Sequence, residues 1–192
     1  MKKIILGSLG GSLILFIWGF LSWELLPVHF ETFKHSSAQD AILQSFTDAN
    51  LESGTYMVPM PDNSKGDFYD ETYIAEKKKF HETMAGRSFA TVAYRKEGVH
   101  DDPMTMIRGY LLELLSVFCV SLILGAGATQ LTSFFNRWWM VMLIAIVINM
   151  QSFMMDWNWM ATSWHYVKGF VFDIFISWGL CGAWLAWFYG RK

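Results

Sequence analysis

The chain has 192 residues, 53% of them hydrophobic and 17% aromatic, with a formal net charge of −2. A charge that small gives no basis for a nucleic-acid partner, which needs a basic stripe to displace counterions from phosphates. The two cysteines, Cys119 and Cys181, lie inside apolar runs, so neither a disulfide framework nor a cysteine metal site is indicated, and both read as small buried apolar residues.

The first element in chain order is an apolar run over residues 4–26. Met1-Lys2-Lys3 ahead of Ile4-Ile5-Leu6 resembles the start of a secretory leader, but the apolar stretch continues through Trp18, Phe20, Leu21 and Trp23 without an Ala-x-Ala-like site. A leader's apolar region is only ~7–15 residues long, so residues 1–26 are expected to form an uncleaved transmembrane helix. Gly7, Gly11 and Gly19 share one face of it, a pattern that lets another helix approach closely.

Residues 27–105 hold most of the ionisable groups, 8 Lys/Arg against 13 Asp/Glu, and read as a water-facing module. Within it, residues 38–50 place Ala38, Ile42, Leu43 and Phe46 at helical spacing behind Ser36 and Ser37 as caps. Residues 54–59 are rich in strand formers and end at Pro59. Pro59, Pro61, Asp62, Asn63, Ser64 and Gly66 then form a loop. A second helix is expected over 69–84, closed by Gly86, and a second strand over 88–95. Lys77-Lys78-Lys79 is bracketed by Glu71, Glu76 and Glu82 and reads as a solvated helix face. His35, His81 and His100 lack ligand spacing. A two-stranded ribbon is weak alone, and a module of about 80 residues is marginal, so the product is a small α+β cap that leans on its surroundings.

Three further apolar runs follow within residues 106–192, at about 106–126, 138–155 and 169–189. A helix rises ~1.5 Å per residue and the hydrocarbon core is ~30 Å thick, so each can cross it. The expected fold is mainly α: a four-helix transmembrane bundle with a small α+β extracytoplasmic cap inserted between helices 1 and 2. The positive-inside rule puts Lys2 and Lys3 in the cytoplasm, together with Arg137 in the loop 129–137 and the tail Arg191-Lys192. Both termini are then cytoplasmic and residues 27–105 extracytoplasmic. Trp138 and Trp139 mark one interface, and Trp157, Trp159, Trp164 and Tyr166 the other.

Polar residues at membrane depth carry the functional interest. A charged group there costs ~2.5–3.5 kcal/mol on insertion scales, so it tends to face the bundle interior and find a partner. Glu24, Arg108, Glu113, Asn149, Gln151 and Asp173 fall at similar depths toward one side of the membrane. They suggest a shared polar layer in which Arg108 pairs with Asp173 or Glu24 across helices. An unpaired acid at that depth takes up a proton, so Glu113 and Asp173 are expected to be partly protonated. Such a layer serves either as a hydrogen-bonded strut or as a pocket for a cation, a proton or a polar headgroup. His29 and His165, with Glu24 and Asp156, lack the close spacing of a metal site. No metal, cofactor or catalytic constellation is indicated.

The runs from Leu6-Gly7 to Phe16-Ile17-Trp18, Phe20-Leu21-Ser22-Trp23, Gly54-Thr55-Tyr56-Met57-Val58-Pro59, Met106-Ile107-Arg108-Gly109 and Trp178-Gly179-Leu180 to Trp184-Leu185-Ala186-Trp187 resemble a group of small bacterial inner-membrane proteins with four helices and no assigned activity. The resemblance spans nearly the whole chain. It implies a recurring layout and transfers no functional residue. The expected role is a non-catalytic accessory or assembly subunit, with membrane lipids and other membrane subunits or further copies of itself as partners. Binding or transport of a small ligand, cation or proton through the polar layer is the alternative.

Overall fold

The computed structural model describes residues 1–61, 70–84, 86–98 and 102–191. The expected loop residues Asp62, Asn63, Ser64 and Gly66, the start of the second cap helix at Tyr69, and His100 lie outside the described residues. Helix α1 (Lys2–Phe20) passes into a π-helical turn, Leu21–Leu25, and a 3-10 turn, Pro27–His29. There follow α2 (Gln39–Asp48), β1 (Gly54–Val58), α3 (Glu71–Met84) and β2 (Ala90–Tyr94). Helix α4 spans Pro103–Ala126. Helix α5 (Phe134–Asn149) continues through a second π-helical turn, Met150–Met154, into the short α6 (Met155–Trp159), and α7 covers Trp164–Gly190. Four stretches are long and apolar enough to cross a bilayer, Lys2–Leu25, Pro103–Ala126, Phe134–Trp159 and Trp164–Gly190, which is the make-up of a multi-pass membrane protein. Contacts divide the chain into two compact units, Met1–His35 with Asp101–Lys192, and Ser36–His100.

In the helical unit, polar caps start the spans earlier than hydropathy suggests. Asp102 accepts from the Met104 amide (3.0 Å), with Pro103 at the first helical position. Ser133 accepts from the Asn136 amide (3.0 Å), and Ser163 from that of Tyr166 (3.3 Å). Each satisfies an amide with no partner inside the helix. The helices therefore begin at 103, 134 and 164, not at 106, 138 and 169.

Helix α1 packs on α4 and α7, and α7 also packs on α5, whereas α4 touches α5 and α7 at few points. The core joins Leu15 of α1, Val117 and Leu124 of α4, Val141 and Ala145 of α5, and Cys181 and Leu185 of α7. Leu6, Leu9, Leu13 and Ile17 of α1 turn outward, toward lipid. Lipid tails are as apolar as leucine, so small residues rather than hydrophobicity must draw the helices together. Gly7, Ser8, Gly11 and Ser12 are buried on α1. A Cβ on Gly11 would lie 2.7 Å from Val117 and 3.0 Å from Cys181, and one on Gly10 would lie 2.4 Å from the Trp184 ring. Gly19, placed on this face by its spacing, meets nothing within 4 Å.

Two indoles join the bundle through helical carbonyls. Trp184 Nε1 donates to the Gly7 carbonyl (3.1 Å), and Trp138 Nε1 to that of Gly179 (3.0 Å). Trp138, expected at a membrane interface, thus reaches inside the bundle. Arg137 also departs from its expected place in a loop. It lies in the first turn of α5, 9% exposed. Its guanidinium donates to the carbonyls of Ala186 (3.0 Å), Leu131 (2.7 Å) and Thr132 (3.1 Å). At the same end the Lys3 ammonium donates to the Arg191 carbonyl, so both termini meet there.

In the second unit, β1 and β2 pair antiparallel with Gly54 opposite Tyr94 and Val58 opposite Ala90. Phe46 of α2 packs edge-on against Tyr94, with centroids 5.5 Å apart. Ser53 ties the ribbon's open end, accepting from the Lys96 amide and donating to Glu97. Asp70 starts α3 by accepting from the amides of Thr72 and Tyr73. Gly86, at φ +77°, follows that helix in the left-handed conformation that glycine adopts without penalty.

Candidate functional site: a carboxylate and imidazole cluster

Asp173 of α7 and Glu113 of α4 lie at similar distances along their helices. Asp173 lies nine residues into α7 and Glu113 ten into α4, ~14–15 Å of helical rise from the start of each. The two carboxyls are near enough for their charges to interact. Asp173 Oδ1 accepts from the Trp18 indole at 2.6 Å, so α1 and α7 share a hydrogen bond whose acceptor is a carboxylate. Its other oxygen, Oδ2, lies 3.7 Å from Nε2 of His29.

His29 is the central group that sequence reading left out of this layer and placed at the membrane surface. Its exposure is 7%. The turns at Leu21–Leu25 and Pro27–His29 fold the chain back after α1 and bring the imidazole down beside α7. The ring stacks on Trp23, with centroids 3.9 Å apart and planes 10° from parallel. Phe170 lies against both rings, at 5.2 Å from His29 and 5.7 Å from Trp23. Phe153, from the second π-helical turn, stacks on Phe170 at 4.8 Å. Both π-helical turns thus deliver an aromatic ring to one box, in keeping with their frequency at functional sites.

The two imidazole nitrogens have different surroundings. Nδ1 is 3.3 Å from the hydroxyl of the buried Thr32. Nε2 is buried without a hydrogen-bond partner and faces the Asp173 carboxylate. Gly169 makes room for this arrangement, because a Cβ there would lie 3.0 Å from Thr32 Oγ1 and 3.3 Å from His29 Nδ1.

The remaining members of the expected layer lie elsewhere. Arg108 is exposed and donates to Asp102 Oδ2 (2.8 Å) and Thr105 (3.3 Å), so it pairs with neither Asp173 nor Glu24. An acid on the same helix end is reached without ordering a contact across the bundle, and the local pair wins. Gln151 and Glu24 are exposed. Asn149 is fully buried, and neither end of its amide has a hydrogen-bond partner. Trp18, Trp23, Thr32 and Phe170 join the site without any signal in spacing or hydropathy.

A groove of about 490 Å³ runs between α1 and α4 beside this cluster. Gly19 and Gly109 line it, with Leu15 and Phe16 as apolar wall and the carboxylates of Glu24 and Glu113 as its charged groups. No hydrogen bond or salt bridge reaches either carboxylate from the described residues. Cys181 is buried and Cys119 exposed. Among the described residues no three His, Cys, Asp or Glu side chains gather as a metal site.

Beyond the end of α1, Glu31 accepts from the Lys168 ammonium (2.6 Å) and lies 3.7 Å from His165. The Lys168 hydrogen bond and charge hold the Glu31 carboxyl below the ordinary carboxylate range. A depressed carboxyl contributes stability that is present above its unfolded value of ~4.3 and lost as pH falls through the folded one. Thermal unfolding in detergent across about pH 3–6 is expected to show this acid loss, with a shallower slope in Glu31→Gln. Identical slopes would mean that the pair is too solvated to matter.

Compared with known proteins, the chain matches no family model, no curated protein and no solved structure.

Proposed function

We propose that the protein is a bacterial inner-membrane protein that takes up a proton at the His29 and Asp173 pair, with Glu113 at a similar depth on α4. The observation that carries this reading is Asp173, bound by Trp18 on one oxygen and facing the orphaned His29 nitrogen with the other. The Asp173 carboxylate faces one imidazole. With His29 neutral, the ionised carboxylate leaves net negative charge at a depth where charge costs ~2.5–3.5 kcal/mol. A proton relieves that cost. With His29 protonated, the 3.7 Å approach becomes an attraction between opposite charges.

Orientation is part of the proposal. Lys2, Lys3, Arg137 and Arg191 belong to the end where the termini meet, which the positive-inside rule assigns to the cytoplasm. The cluster and the inserted residues 27–105 are then extracytoplasmic.

The charged groups around His29 are Asp173 on α7 and Glu24 on its own segment, with Glu113 of α4 within reach of the Asp173 charge, while Lys168 and His165 of α7 are engaged by Glu31. Tryptophan emission of the protein in nanodiscs tests the reading, because a charged imidazole stacked on Trp23 quenches that indole. Emission is expected to change with pH in the wild type and to lose that change in His29→Gln, with Asp173→Asn altering it. Emission that is flat with pH, or unchanged by His29→Gln, overturns it.

The sparse contact of α4 with α5 and α7 favours a second reading, an accessory or assembly subunit. A helix held chiefly by one neighbour is completed by another subunit or a second copy. Native mass spectrometry of the protein released from its own membrane is expected to show discrete complexes, and a clean monomer would count against that role.

A further inference from the structure

We infer that the groove between α1 and α4 is a binding site, entered from the lipid phase, for a lipophilic primary amine that carries no phosphate. The inference rests on Glu113 belonging to the ionisable cluster, and it names what reaches that cluster from the membrane plane. Three features of the groove set the ligand's chemistry.

The first is size and lining. About 490 Å³ falls within the ~300–1,000 Å³ of small-molecule sites. Its walls are apolar, and Ile17, Phe20 and Met106 on its rim are exposed on the lipid-facing surface. An alkyl chain can therefore slide in sideways without crossing a polar barrier.

The second is space at the floor. Neither Gly19 nor Gly109 has anything within 4 Å of where a Cβ would stand. These glycines are not spent on helix contact, unlike Gly10 and Gly11 of the same α1 helix. Their missing side chains leave the groove open.

The third is unbalanced charge. Glu24 and Glu113 carry the groove's formal charges, and no described donor pairs with them. The cation expected to neutralise this region, Arg108, is bound to Asp102. An ammonium head complements such a site. A phosphate ester would meet no cation within it, so an aminophospholipid is disfavoured. A neutral head would leave any ionised carboxylate of the groove uncompensated.

The test uses the full-length protein in a neutral maltoside detergent, with thermal unfolding read as dodecylamine is added and dodecanol, dodecanoate and lysophosphatidylethanolamine as comparisons. Dodecylamine is expected to raise the midpoint saturably, with about tenfold weaker apparent affinity in Glu113→Gln, the effect of losing one hydrogen bond to a charged group. Gly109→Leu fills open space, so it is expected to unfold near the wild-type midpoint and to lose the response to the amine. It also keeps the test valid if Glu113→Gln fails to fold.

Equal stabilisation by dodecanol would show chain filling without head recognition and would overturn the inference. Stabilisation by the lysophospholipid equal to that by the amine would overturn the phosphate-free assignment. A full amine response in Gly109→Leu would place binding elsewhere and overturn it as well. The pH dependence of emission is measured without amine, so failure here and failure of the proton reading are separately visible.

Discussion

Gly10→Ala is expected to destabilise the bundle by about 1–3 kcal/mol, although it adds a single methyl group and replaces a poor helix former by the best one. The added carbon would stand 2.4 Å from Cζ2, 2.5 Å from Cε2 and 2.7 Å from Nε1 of Trp184. Those are ring atoms, so no end-of-chain rotation relieves the clash. The indole must leave as a unit, and it then gives up its hydrogen bond to the Gly7 carbonyl. Overpacking costs ~1–3 kcal/mol and a lost hydrogen bond ~1 kcal/mol, against ~1 kcal/mol gained from helix propensity. The control lies on the same helix. Gly19→Ala enters open space and is expected to be neutral or slightly stabilising. Unfolding midpoints of the two variants in one detergent decide the matter. If they shift alike, close packing of α1 on α7 is not what holds the bundle.

That contrast shows how far a sequence can be read in a membrane protein. Length and apolarity identify the four spans, because lipid forces each crossing to be long and apolar whatever its neighbours are. Their edges are set by Asp102, Ser133 and Ser163, whose caps lie beyond the apolar stretch, so hydropathy starts each span several residues late. A glycine stripe says which faces could pack, and Gly7 and Gly11 do. It misses Gly10 and includes Gly19, since only the neighbour decides which bare position is filled by an indole and which is left open.

The same division runs through the candidate site. Helical rise alone brings Glu113 and Asp173 to one depth. It cannot bring in His29, because its burial depends on a π-helical turn followed by a 3-10 turn, and neither leaves a periodicity to read. Nor does it reveal that Arg108 has a nearer acid in Asp102. Tryptophan is ambiguous for a related reason. Its amphipathic ring suits an interface and equally suits an interior carboxylate or carbonyl, and Trp18, Trp138 and Trp184 take the interior option.

Arg137→Met is expected to cost about 3–5 kcal/mol, and the loss is expected to fall on the end of the bundle where the termini meet. The guanidinium is 9% exposed and serves three carbonyls with two nitrogens, Nε to Ala186 and Nη1 to Leu131 and Thr132. It therefore ties the 127–133 connection to the last turns of α7. A hydrogen bond from a charged donor contributes ~1.5–3 kcal/mol, and three around one group add incompletely. Methionine keeps the apolar bulk but removes the donor from all three carbonyls, of which that of Ala186 is buried. Arg137→Lys is expected to recover less than half of the loss, since one ammonium cannot span both the loop and the helix as a planar fork does. Gly190 supports the same geometry: a Cβ there would lie 2.6 Å from Arg137 Nη2, so Gly190→Ala is expected to reproduce a smaller part of the defect. Protease cleavage within residues 127–133 should rise in step with the lost stability, while the pH dependence of Trp23 emission at the far end stays as in the wild type. A lysine variant as stable as the wild type would show that the fork is dispensable, and a methionine variant without loss would show that Arg137 reaches water instead of these carbonyls.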